Sequence, residues 1–190
     1  ISSETKLVHT FAFTSPPPSQ FINFKDNPEN QKKFEWRAAE NGGKYEFEMR
    51  FYYYEVYFNS PDTVEKYIKL VKTGVGQSSG NNKLVYYYKD ENFYSSCDYL
   101  IPYSDASQED NVKDRLSGNV DVIVSVAEVE YALYITVNEP SNSIVQDKPQ
   151  YSNIDNGIGI YSSRYYKKLI KDLHTESVVE LKKLNLKFKL

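Results

Sequence analysis

The clearest pattern along the chain is the strict alternation from Lys44 to Phe58. Tyr45, Phe47, Met49, Phe51 and Tyr53 fall on one side, and Lys44, Glu46, Glu48 and Arg50 on the other. A period of two, with charge outside and apolar groups inside, predicts a strand with one buried face. From Tyr52 onward both sides turn aromatic, so the second half is expected to be covered on both faces. Just upstream, Phe34, Trp36 and Ala38 share one face of a compact strand, and Asn41-Gly42-Gly43 marks a turn. Strand, turn and strand predict a hairpin with Trp36 on its first arm, the pattern of a β-sandwich whose inner face carries one large anchor.

Other segments extend this picture. Leu7 to Thr14 alternate as an opening strand, stopped by Pro16-Pro17-Pro18, which cannot donate ladder hydrogen bonds. Phe21 to Phe24 reads as a short extended piece, followed by a polar linker from Lys25 to Lys33. Ser60-Pro61-Asp62 has the composition of a helix start, and Val64, Tyr67, Ile68 and Val71 have helical spacing. The same stretch also reads as a strand through Val64, Lys66, Ile68 and Leu70, and both templates stay open. Thr73 to Asn82 is a loop rich in Gly and Ser. Lys83 to Lys89 and Asn92 to Ile101 are expected to be strands, with a polar surface excursion over Ser104 to Asn119.

Val120, Val122 and Val124 mark a buried strand, and Ala127 to Val137 either continues it or turns into a helix ended by Pro140. Ser141 to Lys148 reads as loop and Tyr165 to Leu173 as strand. Thr175 caps a short helix over Glu176 to Lys183, and Leu184, Leu186 and Phe188 form a closing strand. The expected fold is therefore mainly β: one domain over residues 1–190, an immunoglobulin- or fibronectin-like β-sandwich with one or two short helices.

Pro149 to Arg164, PQYSNIDNGIGIYSSR, is the least ordinary stretch. Asn156-Gly157 is a tight-turn signal, and Ile158, Ile160 and Ser162 alternate with Gly159, Tyr161 and Ser163 as a short strand. The stretch reads either as a ligand loop or as the closing of a last hairpin, and turn chemistry favours the hairpin.

Composition narrows the chemistry. The net charge of −3, from 23 basic and 26 acidic residues, shows no basic excess of the kind that marks a nucleic-acid partner. The chain holds 18 Tyr and 10 Phe against one Trp and one Met. Tyr suits half-exposed strand faces, since it combines apolar area with a hydroxyl that stays wet. The single cysteine, Cys97, is read as a small buried or half-buried residue rather than a reactive thiol, and leaves no internal disulfide. With two histidines, His9 and His174, and no serine in a G-x-S-x-G elbow, nothing marks a nucleophile with its base. Clustered zinc ligands are lacking as well. Asp105, Glu109, Asp110 and Asp114 lack the central Gly and terminal Glu of an EF-hand loop, and Gly157-Ile158-Gly159 lacks the third glycine of a pyrophosphate cradle. We expect no enzyme, no metal and no cofactor.

Tyr151-Ser152-Asn153-Ile154, Asn156-Gly157-Ile158-Gly159-Ile160 and Ser162-Ser163-Arg164 resemble a family of Bacteroidetes outer-membrane lipoproteins defined by a domain of unknown function. Thr175 to Phe188 and the Trp36-bearing stretch from Phe34 to Glu55 add weaker echoes. The resemblance implies export, a lipid anchor outside this chain and a periplasmic or cell-surface location. It also implies that the chain is the C-terminal part of a longer lipoprotein, accompanying an outer-membrane transporter or another envelope protein. The expected role is binding a partner or nutrient; the alternative is a structural or adhesin-like subunit that docks through sheet edges. Candidate contacts are Tyr86, Tyr87 and Tyr88, which must present rings to both faces of their strand, and Tyr52 and Tyr54, on the otherwise polar face of the long strand.

Overall fold

The computed structural model describes residues 2–17, 21–25, 27–78, 80–102, 111–138 and 151–189. Two sheets face one another. The smaller has the order β1-β3-β7-β6, built from β1 (Phe13–Ser15), β3 (Gln31–Arg37), β7 (Lys83–Lys89) and β6 (Gln77–Ser78). The larger has the order β2-β9-β8-β4-β5: β2 (Phe21–Ile22), β9 (Arg164–Leu173), β8 (Val112–Glu128), β4 (Gly42–Tyr57) and β5 (Thr63–Thr73). β10 (Phe188–Lys189) pairs with β8, and both it and β2 join in parallel, whereas the other pairings are antiparallel. Among the described residues there are three helices: α1 (Glu91–Leu100), α2 (Val129–Asn138) and α3 (Thr175–Lys182). The protein is mainly β, as the alternation predicts.

The expected β3–β4 hairpin does not form. β3 pairs with β1 and β7, and β4 pairs with β5 and β8, so the turn after Arg37 carries the chain from one sheet to the other. Asn41 at φ 61° makes that turn. The physical reason lies in the two apolar faces. Paired side by side, both would need cover from elsewhere; in opposite sheets they cover each other. The Phe34 and Phe47 rings meet at 4.9 Å and Trp36 and Tyr45 at 5.9 Å, with Phe34 and Trp36 fully buried. Burying such side chains is the main driving force for closing the sandwich.

Other expectations move in the same way. Ser60 to Gly74 resolves as strand: the Ser60 hydroxyl accepts from the Asp62 N–H at 3.0 Å in a local turn, and pairing with β4 from Thr63 to Thr73 takes the rest. Of the opening segment only Phe13–Ser15 joins a sheet, although Val8 and Phe11 are buried. Asn92 to Ile101 is helix α1 rather than strand, because Phe93, Cys97 and Ile101 recur every four residues and are all buried. That helix takes the total beyond the one or two expected. Ala127 to Val137 resolves as the end of β8 followed by α2, with the buried Glu128 carboxylate accepting from the Glu130 N–H at 3.0 Å. α2 lies so close to β4 that a Cβ on Gly43 would come within 2.5 Å of the Val129 Cα. The expected closing strand shrinks to two residues, although Leu186 and Phe188 are buried.

β8 starts eight residues earlier than the valine alternation suggests, at Val112. It gains Tyr53–Tyr57 as partners across a register shift near Gly118, where a Cβ would lie 2.8 Å from the Tyr52 carbonyl oxygen. Of the expected excursion over Ser104 to Asn119, Val112 to Asn119 belong to β8, and residues 104–110, including Asp105, Glu109 and Asp110, lie outside the described residues. So do Pro18, Pro140 and the loop Ser141 to Lys148. Asp114 sits on β8, 3.4 Å from the Lys189 ammonium.

Tyr151 to Ser163 closes no hairpin. The Asn153 side chain staples its ends instead: its carbonyl oxygen accepts from the Tyr161 N–H and its amide donates to the Tyr161 carbonyl, both at 2.8 Å. One side chain thus supplies the pair of hydrogen bonds a partner strand would have made. The stapled loop holds the N-terminal segment through Ser163, whose hydroxyl accepts from Val8 N–H at 2.9 Å and donates to the Lys6 carbonyl at 2.6 Å.

Candidate binding groove

β5 is the outermost strand of the larger sheet, and beneath it the sandwich opens. Phe47 from β4 and Leu70 from β5 form one side of the opening, and Tyr86 and Tyr88 from β7 the other. The groove measures about 490 Å³. Its floor is aromatic: the Phe47 ring lies 4.8 Å from Tyr86 and 6.4 Å from Tyr88. α1 adds a polar wall of Asn92, Ser95 and Ser96, with Tyr99 and Leu100 at the rim, and Lys72 and Lys69 stand on the β5 side. Tyr99 is 87% exposed, so its ring is free to close on a ligand. No carboxylate appears among the residues lining the groove.

The candidate tyrosines divide between this groove and other surfaces. Tyr86 and Tyr88 are brought together in it; burial raises the pKa of both phenols, most strongly at Tyr88, so neither ionises at neutral pH. Tyr88 is buried, so its role is to shape the floor. Tyr87 points away, half exposed on the far face of the smaller sheet. Tyr52 and Tyr54 lie on the open outer face of the larger sheet. There Tyr52 packs against Tyr67 at 5.5 Å, tilted by 39°, with the Arg50 guanidinium 5.8 Å from the Tyr67 ring centroid. Burial is only partial here, so the aromatic second half of β4 is not covered on both sides as its composition suggests.

Sequence reasoning missed the α1 contribution. Asn92, Ser95, Ser96 and Tyr99 stand at i, i+3, i+4 and i+7, one face of a helix, and that spacing was the signal available. A second, smaller recess of about 210 Å³ lies under α2, where the Arg164 guanidinium stacks 4.5 Å over Tyr131.

Other chemistry-bearing groups have structural places. Cys97 is fully buried, and desolvation pushes its thiol pKa well up, so it packs rather than reacts. His174 caps α3, its Nδ1 accepting from Glu176 N–H at 3.3 Å, and His9 lies 3.5 Å from Glu40. Among the described residues no three His, Cys, Asp or Glu side chains are grouped to hold a metal ion, and no helix is long and apolar enough to cross a membrane. No family model, curated protein or solved structure matches the chain.

Proposed function

We propose that the chain is a non-catalytic binding domain of the cell envelope, with its ligand site in the groove under β5. The observation that carries this reading is the groove itself: about 490 Å³, floored by Phe47, Tyr86 and Tyr88 and edged by Lys69 and Lys72 without a lining carboxylate. That volume falls within the few hundred to about 1,000 Å³ usual for small-ligand sites. Aromatic faces favour the C–H faces of sugars and apolar side chains, and the Lys72 ammonium, with no carboxylate among the lining residues, favours an anion. The ligand class is thus a nutrient-sized amphiphile with a carboxylate, such as an acidic oligosaccharide or a short acidic peptide.

The envelope location, the lipid anchor beyond this chain and service to an outer-membrane transporter rest on the lipoprotein resemblance of the Tyr151 to Arg164 stretch. An immunoglobulin- or fibronectin-like assignment of the sandwich is supported by its two facing sheets and the buried Trp36; the parallel pairings of β2 and β10 weigh against it. The test is calorimetric titration with uronic-acid oligosaccharides and with glutamate-terminated tripeptides. Tyr99→Ala and Lys72→Ala, both on the rim, are expected to weaken binding tenfold or more with melting unchanged. Binding of neither probe class, or binding indifferent to both substitutions, refutes the groove.

A second reading, docking through a sheet edge, is favoured by β5. Among the described residues, no strand pairs with its outer side along eleven residues.

A further inference from the structure

The free edge of β5 carries information about what it pairs with. In an antiparallel ladder, successive residues turn their N–H and C=O groups alternately toward and away from the neighbouring strand. The Gly74 N–H donates to the Tyr45 carbonyl at 3.0 Å, and this sets the phase. Continued along the β4–β5 register, Val64, Lys66, Ile68, Leu70 and Lys72 bond to β4. Thr63, Glu65, Tyr67, Lys69, Val71 and Thr73 therefore direct their backbone groups outward. An edge of this length presenting Val64, Tyr67 and Val71 at 39%, 54% and 46% exposure is open to another strand.

Its charges decide which strand. From here, resting on the edge-docking reading above, we infer that the edge pairs with a second copy of this chain, antiparallel, about a two-fold axis at Tyr67. In that register Glu65 lies opposite the partner's Lys69, and the symmetry makes this pair twice. Tyr67 meets the partner's Tyr67, Val64 the partner's Leu70 and Thr63 the partner's Val71. Just beyond the strand, Lys72 faces the partner's Asp62. All the outward-directed backbone groups are in phase.

Neighbouring in-phase registers are worse. With the axis at Lys69, Lys69 stacks on its own copy and Lys66 on Lys72 twice; with the axis at Lys66, Lys66 stacks on its own copy. With the axis at Ile68 no acid meets any lysine. Lysines at positions 66, 69 and 72 thus disfavour the registers that stack them on one another, and of the four registers compared only the one at Tyr67 sets an acid against a lysine.

Consequences for the surface follow from symmetry. A two-fold perpendicular to the sheet keeps the same face of both copies on the same side. The Tyr52–Tyr67 pairs of the two copies become one row of four rings on the outer face. The two grooves, each bordered by Leu70 and Lys72, come to lie side by side beneath a continuous sheet.

The experiment is sedimentation velocity over a concentration series with charge-reversed variants. The wild type is expected to dimerise. Glu65→Lys and Lys69→Glu each turn two attractive pairs into two repulsive ones and are expected to weaken self-association at least tenfold. Mixed one to one, the two variants restore both attractive pairs and are expected to form a heterodimer. Melting curves check that each variant is folded, because Lys69 also bonds Glu48 within the chain at 2.9 Å. As an independent readout, the outward amides of Tyr67, Lys69 and Val71 should exchange slowly in the wild-type dimer and fast in either variant alone. A wild type that stays monomeric to about 1 mM overturns self-pairing. Variants that still dimerise, or a mixture that fails to associate, overturn this register. A monomeric wild type whose β5 amides gain protection when envelope extract is added would overturn self-pairing while leaving edge docking in place. Ligand binding by Glu65→Lys, a position outside the groove lining, tests the groove separately.

Discussion

Replacing Arg115 with alanine should be the most damaging single change at a polar residue. Arg115 is 1% exposed at the end of the sandwich where β8, β4, Pro102 just beyond α1 and the C-terminal turn converge. Its Nε and Nη2 donate to Glu55 Oε1 at 3.0 and 2.9 Å, its Nη2 also to the Pro102 carbonyl at 3.0 Å, and its Nη1 to the Leu186 carbonyl at 2.9 Å. The guanidinium carbon also lies 5.9 Å from the Tyr53 ring centroid. Arg115→Ala removes all of these. Glu55, itself 6% exposed, then keeps only the Tyr57 hydroxyl, at 2.7 Å, among the described residues.

Breaking one partner of a buried ion pair costs about 3–5 kcal/mol, mainly because the other charge is left without compensation. At roughly 2–4 °C per kcal/mol for a domain of this size, the melting temperature should fall by about 6–20 °C. The pair removed whole should behave differently. Glu55→Leu with Arg115→Met leaves no orphan charge, so the double variant should lie much closer to the wild type than Arg115→Ala. Urea unfolding followed by circular dichroism on the single and double variants makes the comparison. A loss below about 1 kcal/mol for Arg115→Ala would refute the view that this cluster ties the C-terminal turn to the sheets. So would a double variant worse than the single one.

Two further predictions concern pH. The Tyr57 phenol is raised from its ordinary 10.0 to about 12, chiefly because its O–H is held by the Glu55 carboxylate. Because the folded pKa lies above the unfolded one, the associated stability is complete below pH 10 and is lost as pH rises toward 12. Glu55→Gln should bring the ultraviolet titration of one tyrosine back toward 10, and an unmoved titration curve would contradict the assignment. The Glu35 carboxyl is held down from 4.5 to about 2, first by Lys33 at 2.6 Å, then by Thr14 at 2.7 Å and Lys83 at 3.1 Å. A depressed carboxyl contributes stability above its unfolded pKa and loses it as pH falls from 4.5 toward 2. Glu35→Gln should therefore flatten the acid limb of stability against pH in that window, and an unchanged limb would refute the contribution.

Local pattern made much of the strand content legible. The alternation from Tyr45 to Tyr53 predicts both the strand and its buried face, since period two is a property of one strand alone. Trp36 as the buried anchor, the β7 strand and Cys97 as a packed thiol were equally readable, each from its own few residues. Two misreadings have separate causes. In α1, Phe93, Tyr94 and Tyr99 favour strands by propensity, and this masked the helical spacing of Phe93, Cys97 and Ile101. In the Tyr151 to Ser163 loop, a side chain took the place of the partner strand that its alternation seemed to require.

What sequence could not contain is pairing. Asn41-Gly42-Gly43 announces that the chain turns, but not that β4 leaves for the opposite sheet. That choice depends on β3 finding β7, some fifty residues later, and on Phe34 meeting Phe47 across the sandwich. The candidate tyrosines likewise could be named but not sorted, because the side of a sheet that faces a groove is decided by what is packed opposite. The groove draws on β4, β5, β7 and α1, and the free edge exists because, among the described residues, no other strand reaches the outer side of β5. Periodicity is a local property and survives in the residues; register, partner and edge are relations between distant segments, and only the folded chain holds them.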